Sequence, residues 1–339
     1  MIILAFETSC DETSAAVLEN ETVLSNIVLS QMFHSEWGGV VPEIASREHL
    51  KSIVTVTEKA FEKANINIKD INLVAAANVP GLIGALLIGL SYAKTLAASI
   101  EVPFVPVNHI QAHLYSSFLE GEKPEFPFIS LIVSGGHTLL VLVKDYFEHR
   151  IIGTTVDDAA GEAFDKVAKL LGLGYPGGPL IDKYAQTGDK SFHKFPLANV
   201  KNSPFDFSFS GIKTSVLYFL RNFSEEQKKD IKFIPDICAC FQEAVTESLL
   251  KKTLSAAKKY DVVNIAISGG VSANSELKSK FLKLVDKGFK IFIPSAKYTT
   301  DNGAMIGLTG YLKYIKSSDR KYYINESFSV GAKARFTAI

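Results

Sequence analysis

Cysteine is scarce in this chain of 339 residues: there are three, Cys10, Cys238 and Cys240, and none stands in a Cys-x-x-Cys pair. That excludes a disulfide framework and leaves the three as reduced packing residues. Long apolar runs are missing too. The best one, 82–100, is interrupted by Gly84, Gly89, Ser91, Tyr92 and Lys94 and reads as a buried helix, not a membrane span. The opening Met1-Ile2-Ile3-Leu4-Ala5-Phe6-Glu7 lacks the basic segment and cleavage site of a secretory signal and reads as a strand, which predicts a cytoplasmic protein. Net charge is zero, with 36 basic against 36 acidic residues. The balance is uneven along the chain: from Lys251 onward, 16 basic residues face 6 acidic ones. That excess fits a polyanion such as RNA, and equally a solvated helical face carrying Lys278, Lys280, Lys283 and Lys287. The glycine fingerprints of Rossmann and P-loop proteins and the His-Glu-x-x-His of zincins are all absent, which argues against those three classes.

What is present is a repeated order of elements. The chain is 47% hydrophobic and long enough for two cores. Apolar runs bounded by polar turns predict strands at 2–7, 15–18 and 23–29, a helix at 42–64 opened by Pro42, a strand at 73–78, a helix at 83–99 and a strand at 104–107. The second half repeats the opening meander with strands at 128–133, 139–143 and 151–155. Helices follow at about 160–171, 179–186, 212–219 and 235–259, then a strand at 262–267, a helix at 275–285, a strand at 290–293 and a helix at 303–315. Such a duplication predicts an α/β pair of lobes, 1–125 and 126–339, the second with a helical insertion at about 157–260, and a central cleft where ligands gather at the turns after strands.

Three turns carry chemistry. Thr8-Ser9, Ser134-Gly135-Gly136-His137-Thr138 and Ser268-Gly269-Gly270 combine small residues, hydroxyls and backbone N–H groups able to cradle phosphate. Each Gly-Gly alone is also compatible with a plain hairpin turn. A fourth feature is the pair His109 and His113. If 108–114 is helical, residues four apart share one face and both imidazoles can reach one ion. Two imidazoles hold a divalent ion poorly, so a third ligand must come from elsewhere, and without it the pair is an ordinary coincidence of spacing.

Together these stretches carry a resemblance. Glu7-Thr8-Ser9-Cys10-Asp11-Glu12-Thr13, Gly38-Gly39-Val40-Val41-Pro42-Glu43 with Ala45-Ser46-Arg47, the histidine pair, Ser134-Gly135-Gly136-His137-Thr138 and Asp157-Asp158-Ala159-Ala160-Gly161-Glu162-Ala163-Phe164-Asp165-Lys166 are five signatures. Tyr175-Pro176-Gly177-Gly178-Pro179, Phe207-Ser208-Phe209-Ser210-Gly211-Ile212-Lys213-Thr214, 268–274 and Thr300-Asp301-Asn302-Gly303-Ala304-Met305 complete the set. In this order they resemble the TsaD (Gcp/YgjD) family, the catalytic subunit of tRNA threonylcarbamoyladenosine synthesis.

The resemblance implies an actin-like α/β fold of the sugar kinase, Hsp70 and ribonuclease H-like class. It implies transfer of a threonylcarbamoyl group from threonylcarbamoyl-AMP to N6 of the adenosine just 3′ of the anticodon, in tRNAs reading codons that begin with A. It makes His109, His113 and Asp301 the metal ligands, with iron(II) favoured and zinc compatible. It also puts Ile132, Val133, Ser134, Gly135 and Gly136 against the adenylate, Asp165, Gly178 and Asp182 around its ribose and Asn274 near its adenine. The implied partners are tRNA, a TsaB-like inactive paralogue, a TsaE-like ATPase handling ATP and magnesium, and an upstream threonylcarbamoyl-AMP synthase, in a bacterial or organellar form. Two departures stand out: Val79-Pro80-Gly81 where the family usually has Gly-Pro-Gly, and Gln111-Ala112 where it commonly has Glu-Gly between the histidines. Without that glutamate, an inverted-zincin peptidase is disfavoured. A small-molecule kinase of the same fold is the alternative, and an ATP-dependent scaffold a third class.

Singly, several residues have plainer readings. Asp157, Asp158 and Glu162 suit the N-terminus of the helix near residue 160. Phe205, Phe207 and Phe209 alternate as a half-buried strand does, which favours core over base stacking. Lys213 suits a phosphate or a helix surface, and Cys10 suits packing.

Overall fold

The computed structural model describes residues 1–31, 34, 39–196, 200–201, 203–224, 226–227 and 231–335; Gly38 of the second signature lies outside them. Among these residues the chain forms two compact units, Met1–Gly121 with Thr300–Ile339, and Glu122–Thr299.

In the first unit, β1 (Ile2–Glu7), β2 (Glu12–Glu19) and β3 (Thr22–Ser30) form an antiparallel meander, and β4 (Leu73–Val79) and β5 (Phe104–Asn108) add in parallel, giving a five-stranded sheet in the order β3-β2-β1-β4-β5. Parallel strands need crossovers, supplied here by α1 (Pro42–Ala64) and α2 (Ile83–Ser99). Pro42 starts α1 where its missing N–H costs nothing, and Asn65 ends it in the left-handed region at φ 53°.

The strands are apolar on both faces because both are covered. Leu4, Phe6, Ala15, Val17, Val74 and Ala76 pack with Ile53, Val56 and Ala60 of α1 and Leu90 and Ala93 of α2. The alternate residues meet α9 (Gly303–Lys316), whose glycines make the approach possible. A Cβ on Gly303 would stand 2.8 Å from Ala16 N, on Gly307 2.3 Å from Leu18 Cδ1, and on Gly310 2.6 Å from Ala75 Cβ. This close fit draws the end of the chain back onto the first sheet. The structural division therefore differs from the expected 1–125 and 126–339: residues from Thr300 onward pack with the first unit.

The second unit repeats the topology. β6 (Phe128–Val133), β7 (Thr138–Asp145) and β8 (Glu148–Thr154) form the meander, with β9 (Asn264–Ser268) parallel to β6 and β10 (Lys290–Phe292) parallel to β9, in the order β10-β9-β6-β7-β8. Between β8 and β9 come α4 (Ala160–Leu170), α5 (Gly177–Ala185), α6 (Ser210–Leu220) and α7 (Phe233–Lys259), and between β9 and β10 comes α8 (Ser275–Leu282). The core joins Ile129, Leu131, Val133, Leu140 and Leu142 to Phe164 and Phe241, whose rings lie 5.1 Å apart edge to face. Phe205, Phe207 and Phe209 are buried there, so the core reading of that alternation holds. No described helix is long and apolar enough to cross a membrane.

Candidate functional site

The histidine pair begins where β5 ends. Asn108 caps α3 (His109–Tyr115), its Oδ1 accepting from Ile110 N (2.8 Å) and Gln111 N (3.2 Å). The cap fixes the first turn of a short helix and puts both imidazoles on one buried face. The rings lie 4.6 Å apart at 89°, His109 being 5% and His113 0% exposed. Asp301, just before α9, completes the group: its Oδ1 is 3.0 Å from His113 Nε2 and 3.5 Å from His109 Nε2. Ligand atoms of His109, His113 and Asp301 all lie within 4.8 Å of one another. The duplication puts Asp301 in the other half, but it belongs to the first unit, so all three candidate ligands lie in one unit.

Behind His109 stands a residue that sequence spacing did not single out. Glu7, wholly buried at the end of β1, places Oε2 2.9 Å from His109 Nδ1, and its Oε1 accepts from Ser9 N. Ser9 Oγ lies 3.2 Å from the same Nδ1. A carboxylate only accepts, so Nδ1 carries a proton towards Glu7, and Nε2 is the nitrogen left facing Asp301. The available signal was a buried acid closing an otherwise apolar strand.

The electrostatics fit a cation. Burial disfavours a charged His109, but Asp301 and Glu7 outweigh it and raise the imidazole to about 9. Glu12 is pushed well above the usual carboxylate range by burial, then by Asp301, Asp11 and Glu7. Burial and the same acids, Asp11 and Asp301, raise the Cys10 thiol, which agrees with a packing role. Several acids thus crowd around two imidazoles, the surplus negative charge that a divalent ion offsets. Gln111 lies between the ligands without displacing either, and Gly81 packs on the Ser9 turn, where Leu82 N donates to Ser9 O (2.8 Å).

In the second unit, the turn joining β6 to β7 is closed by Ser134 N donating to His137 O (2.8 Å) and His137 N to Ser134 Oγ (3.1 Å). It occupies the place that the Thr8-Ser9 turn has between β1 and β2. Ser268-Gly269-Gly270 instead follows β9, so its counterpart is the turn after β4. The start of α4 presses on the β6–β7 turn: Gly161 N donates to Ser134 O (3.2 Å), and a Cβ there would stand 2.6 Å from that oxygen. By contrast, a Cβ on Gly135, Gly136 or Gly178 would meet nothing within 4 Å, so their backbone is open to a ligand. Ile132 and Val133 are fully buried in β6 and offer only main chain. Asp165 Oδ1 accepts from Gly177 N (2.7 Å), tying α4 to the start of α5.

Asp182 and Asn274 are brought together, but their side chains hold α8. Asp182 accepts from Ser275 N and Ser275 Oγ, the latter at 2.6 Å, and Asn274 Oδ1 accepts from Leu277 N (3.0 Å) while its Nδ2 donates to Gln242 Oε1 (2.7 Å). Asp157 does not cap α4. It caps α6, accepting from Phe209 N (2.8 Å), Ser208 Oγ (2.6 Å) and Ser210 Oγ (2.7 Å). The N–H of Ala160 in α4 goes to Thr138 Oγ1 (2.9 Å), while Asp158 and Glu162 pair with Lys166. Lys213 is half-buried in the first turn of α6.

Residues 22–308 match the family described as TsaD: tRNA N6-adenosine threonylcarbamoyltransferase. The chain is 49% identical to the tRNA N6-adenosine threonylcarbamoyltransferase of Christiangramia forsetii, over 98% of this chain and 97% of the relative. It is 53% identical to that of Chloroherpeton thalassium, over 92% of each. Among solved structures it is similar to HypF from T. kodakarensis (TM-score 0.65, 14% identity, 95% of this chain and 49% of that one) and to the activator of 2-hydroxyisocaproyl-CoA dehydratase from Clostridium difficile (TM-score 0.52, 13% identity, 97% and 96%). Those two likenesses concern the fold alone, a duplicated actin-like α/β fold. With the signatures in place from β1 to α9 and matches of this extent, the chain belongs to the TsaD family of tRNA N6-adenosine threonylcarbamoyltransferases.

Proposed function

We propose that this protein transfers the threonylcarbamoyl group of threonylcarbamoyl-AMP to N6 of the adenosine just 3′ of the anticodon, in tRNAs that read codons beginning with A. The observation that carries the reading is the ligand group His109, His113 and Asp301 with Glu7 behind His109. In the reaction the N6–carbon bond forms as the carbon–oxygen bond to AMP breaks; AMP leaves with the electron pair and N6 loses a proton. The donor is already an activated anhydride, so alignment and charge stabilisation are the main demands on the protein. A bound divalent ion, iron(II) or zinc by its donor set, would supply Lewis-acid stabilisation of developing negative charge.

The chain's own residues do the holding. Glu7 fixes the His109 tautomer, and Asn108 fixes the helix that carries both imidazoles. The open main chain at Gly135, Gly136 and Gly178 supports binding of the adenylate, with Asp165 beside it through the Gly177 turn. A ribose or adenine contact by Asp182 or Asn274 would have to share side chains that already hold α8.

A TsaB-like paralogue, a TsaE-like ATPase and an upstream synthase complete the proposed system. Exposed Leu50 and Val54 on α1 and Ile83 and Leu87 on α2 support docking of a protein partner on the first unit. Reconstitution with those partners, labelled threonine, bicarbonate, ATP and tRNA tests the reading. Labelled threonylcarbamoyladenosine is expected in the tRNA. None, with partners shown competent on another enzyme of the family, would overturn it.

A further inference from the structure

Residues 330–334 are held against the end of β4, the turn after it and α2. Lys333 N donates to Asn78 O at the end of β4 (2.9 Å), Gly81 N donates to Ala334 O (3.3 Å), Asn78 Nδ2 donates to Gly331 O (3.4 Å), and Lys94 Nζ donates to Val330 O. The turn they hold packs on Ser9, whose hydroxyl reaches His109. A short chain of contacts within the first unit therefore leads from the backbone at 330–334 to the candidate ligand His109.

Lys333 and Arg335 are exposed, and neither has an acidic partner among the described residues. Elsewhere many surface cations are paired: Arg47 with Glu43, Lys51 with Glu48, Lys166 with Asp158 and Glu162. Around the metal group the acids face inward, with Glu7 on His109 and Asp301 on both imidazoles. An adenosine brought to such a site carries phosphates that those acids repel. Fixed cations at the rim would offset the repulsion and set the register of the strand.

We propose that Lys333 and Arg335 form a phosphate clamp for the RNA backbone flanking the adenosine to be modified. The inference rests on the reading that this chain acts on tRNA. Because the tail is held by main-chain bonds, K333A/R335A removes both charges and keeps the anchoring.

In the complete transfer assay the double variant is expected to show a KM for tRNA about tenfold higher near physiological salt, with kcat and bound metal unchanged. Its affinity should also fall less steeply with salt, the logarithmic slope decreasing by about 1.4 for two single-strand phosphate contacts. K333R/R335K, which keeps the charges, should restore both. An unchanged KM and salt slope in the double variant would overturn the clamp. Binding of anticodon stem-loop RNA to the full-length protein, followed by fluorescence anisotropy over the same salt series, reads the clamp without the reaction: a reduced slope supports it even where no transfer occurs, and an unchanged slope rejects it even where transfer is normal.

Discussion

Glu7 Oε2 lies 2.9 Å from His109 Nδ1 inside the core of the first unit, and this contact decides which imidazole nitrogen faces Asp301. Glu7→Gln keeps the size and an accepting oxygen but removes the charge. Metal affinity is expected to fall about 10- to 100-fold, the usual effect of losing a carboxylate behind a ligating histidine. Titration with the metal, together with far-ultraviolet circular dichroism to show an intact fold, checks this; an unchanged affinity would remove Glu7 from the site.

Gly161 and Gly135 separate packing from binding. Gly161→Ala puts a methyl 2.6 Å from Ser134 O and 2.8 Å from Gly135 Cα, so the β6–β7 turn must shift, at a cost of about 1–3 kcal/mol. Gly135→Ala meets open space and should fold normally yet weaken adenylate binding by crowding the ligand. Urea unfolding and calorimetric titration with AMP distinguish the two, and equal effects of both variants on stability would contradict the assignment.

Asp157→Ala removes the cap of α6. The loss should cost about 1–2 kcal/mol at neutral pH. Burial raises the Asp157 carboxyl, but hydrogen bonds from Ser208, Ser210 and the Phe209 and Ser210 amides outweigh it and hold the group below the usual range. A lowered carboxylate contributes stability above its unfolded pKa and loses it as pH falls, so the gap between wild type and variant should close below about pH 4. Denaturation at pH 7 and at about pH 2.5 checks this: a gap at pH 7 that narrows at the lower pH is expected, and no gap at pH 7, or one that does not narrow, would contradict the cap.

His149 sets a second pH dependence. Burial lowers it to about 4, so the folded chain keeps it neutral while the unfolded chain protonates it near its ordinary 6.5. Its contribution is complete above pH 6.5 and is lost as pH falls towards 4, with a slope of at most about 1.4 kcal/mol per pH unit. His149→Gln should flatten thermal midpoints across that window; equally steep profiles would assign the slope to other groups.

Much of the fold was legible because local signals agreed. Pro42 and Asn65 bracket α1, and the same meander in both sheets follows from apolar runs closed by short polar turns. Long-range choices were less visible. Gly303, Gly307 and Gly310 recur at helical spacing, but only the folded sheet shows that this stripe draws α9, and Asp301 with it, into the first unit. By sequence Asp157 suits a cap for the nearest helix, yet its partners lie about fifty residues on, at Ser208–Ser210. The histidine pair showed where a metal could sit. The third ligand came from resemblance, and Glu7 from geometry alone.

The most direct measurement compares bound metal and threonylcarbamoyl transfer in wild type and Asp301→Asn, purified without oxygen and assayed with the same partners. The ligand set predicts that metal content and transfer fall together by at least tenfold while the fold is retained. An Asp301→Asn protein free of metal that still modifies tRNA at the wild-type rate would contradict the account.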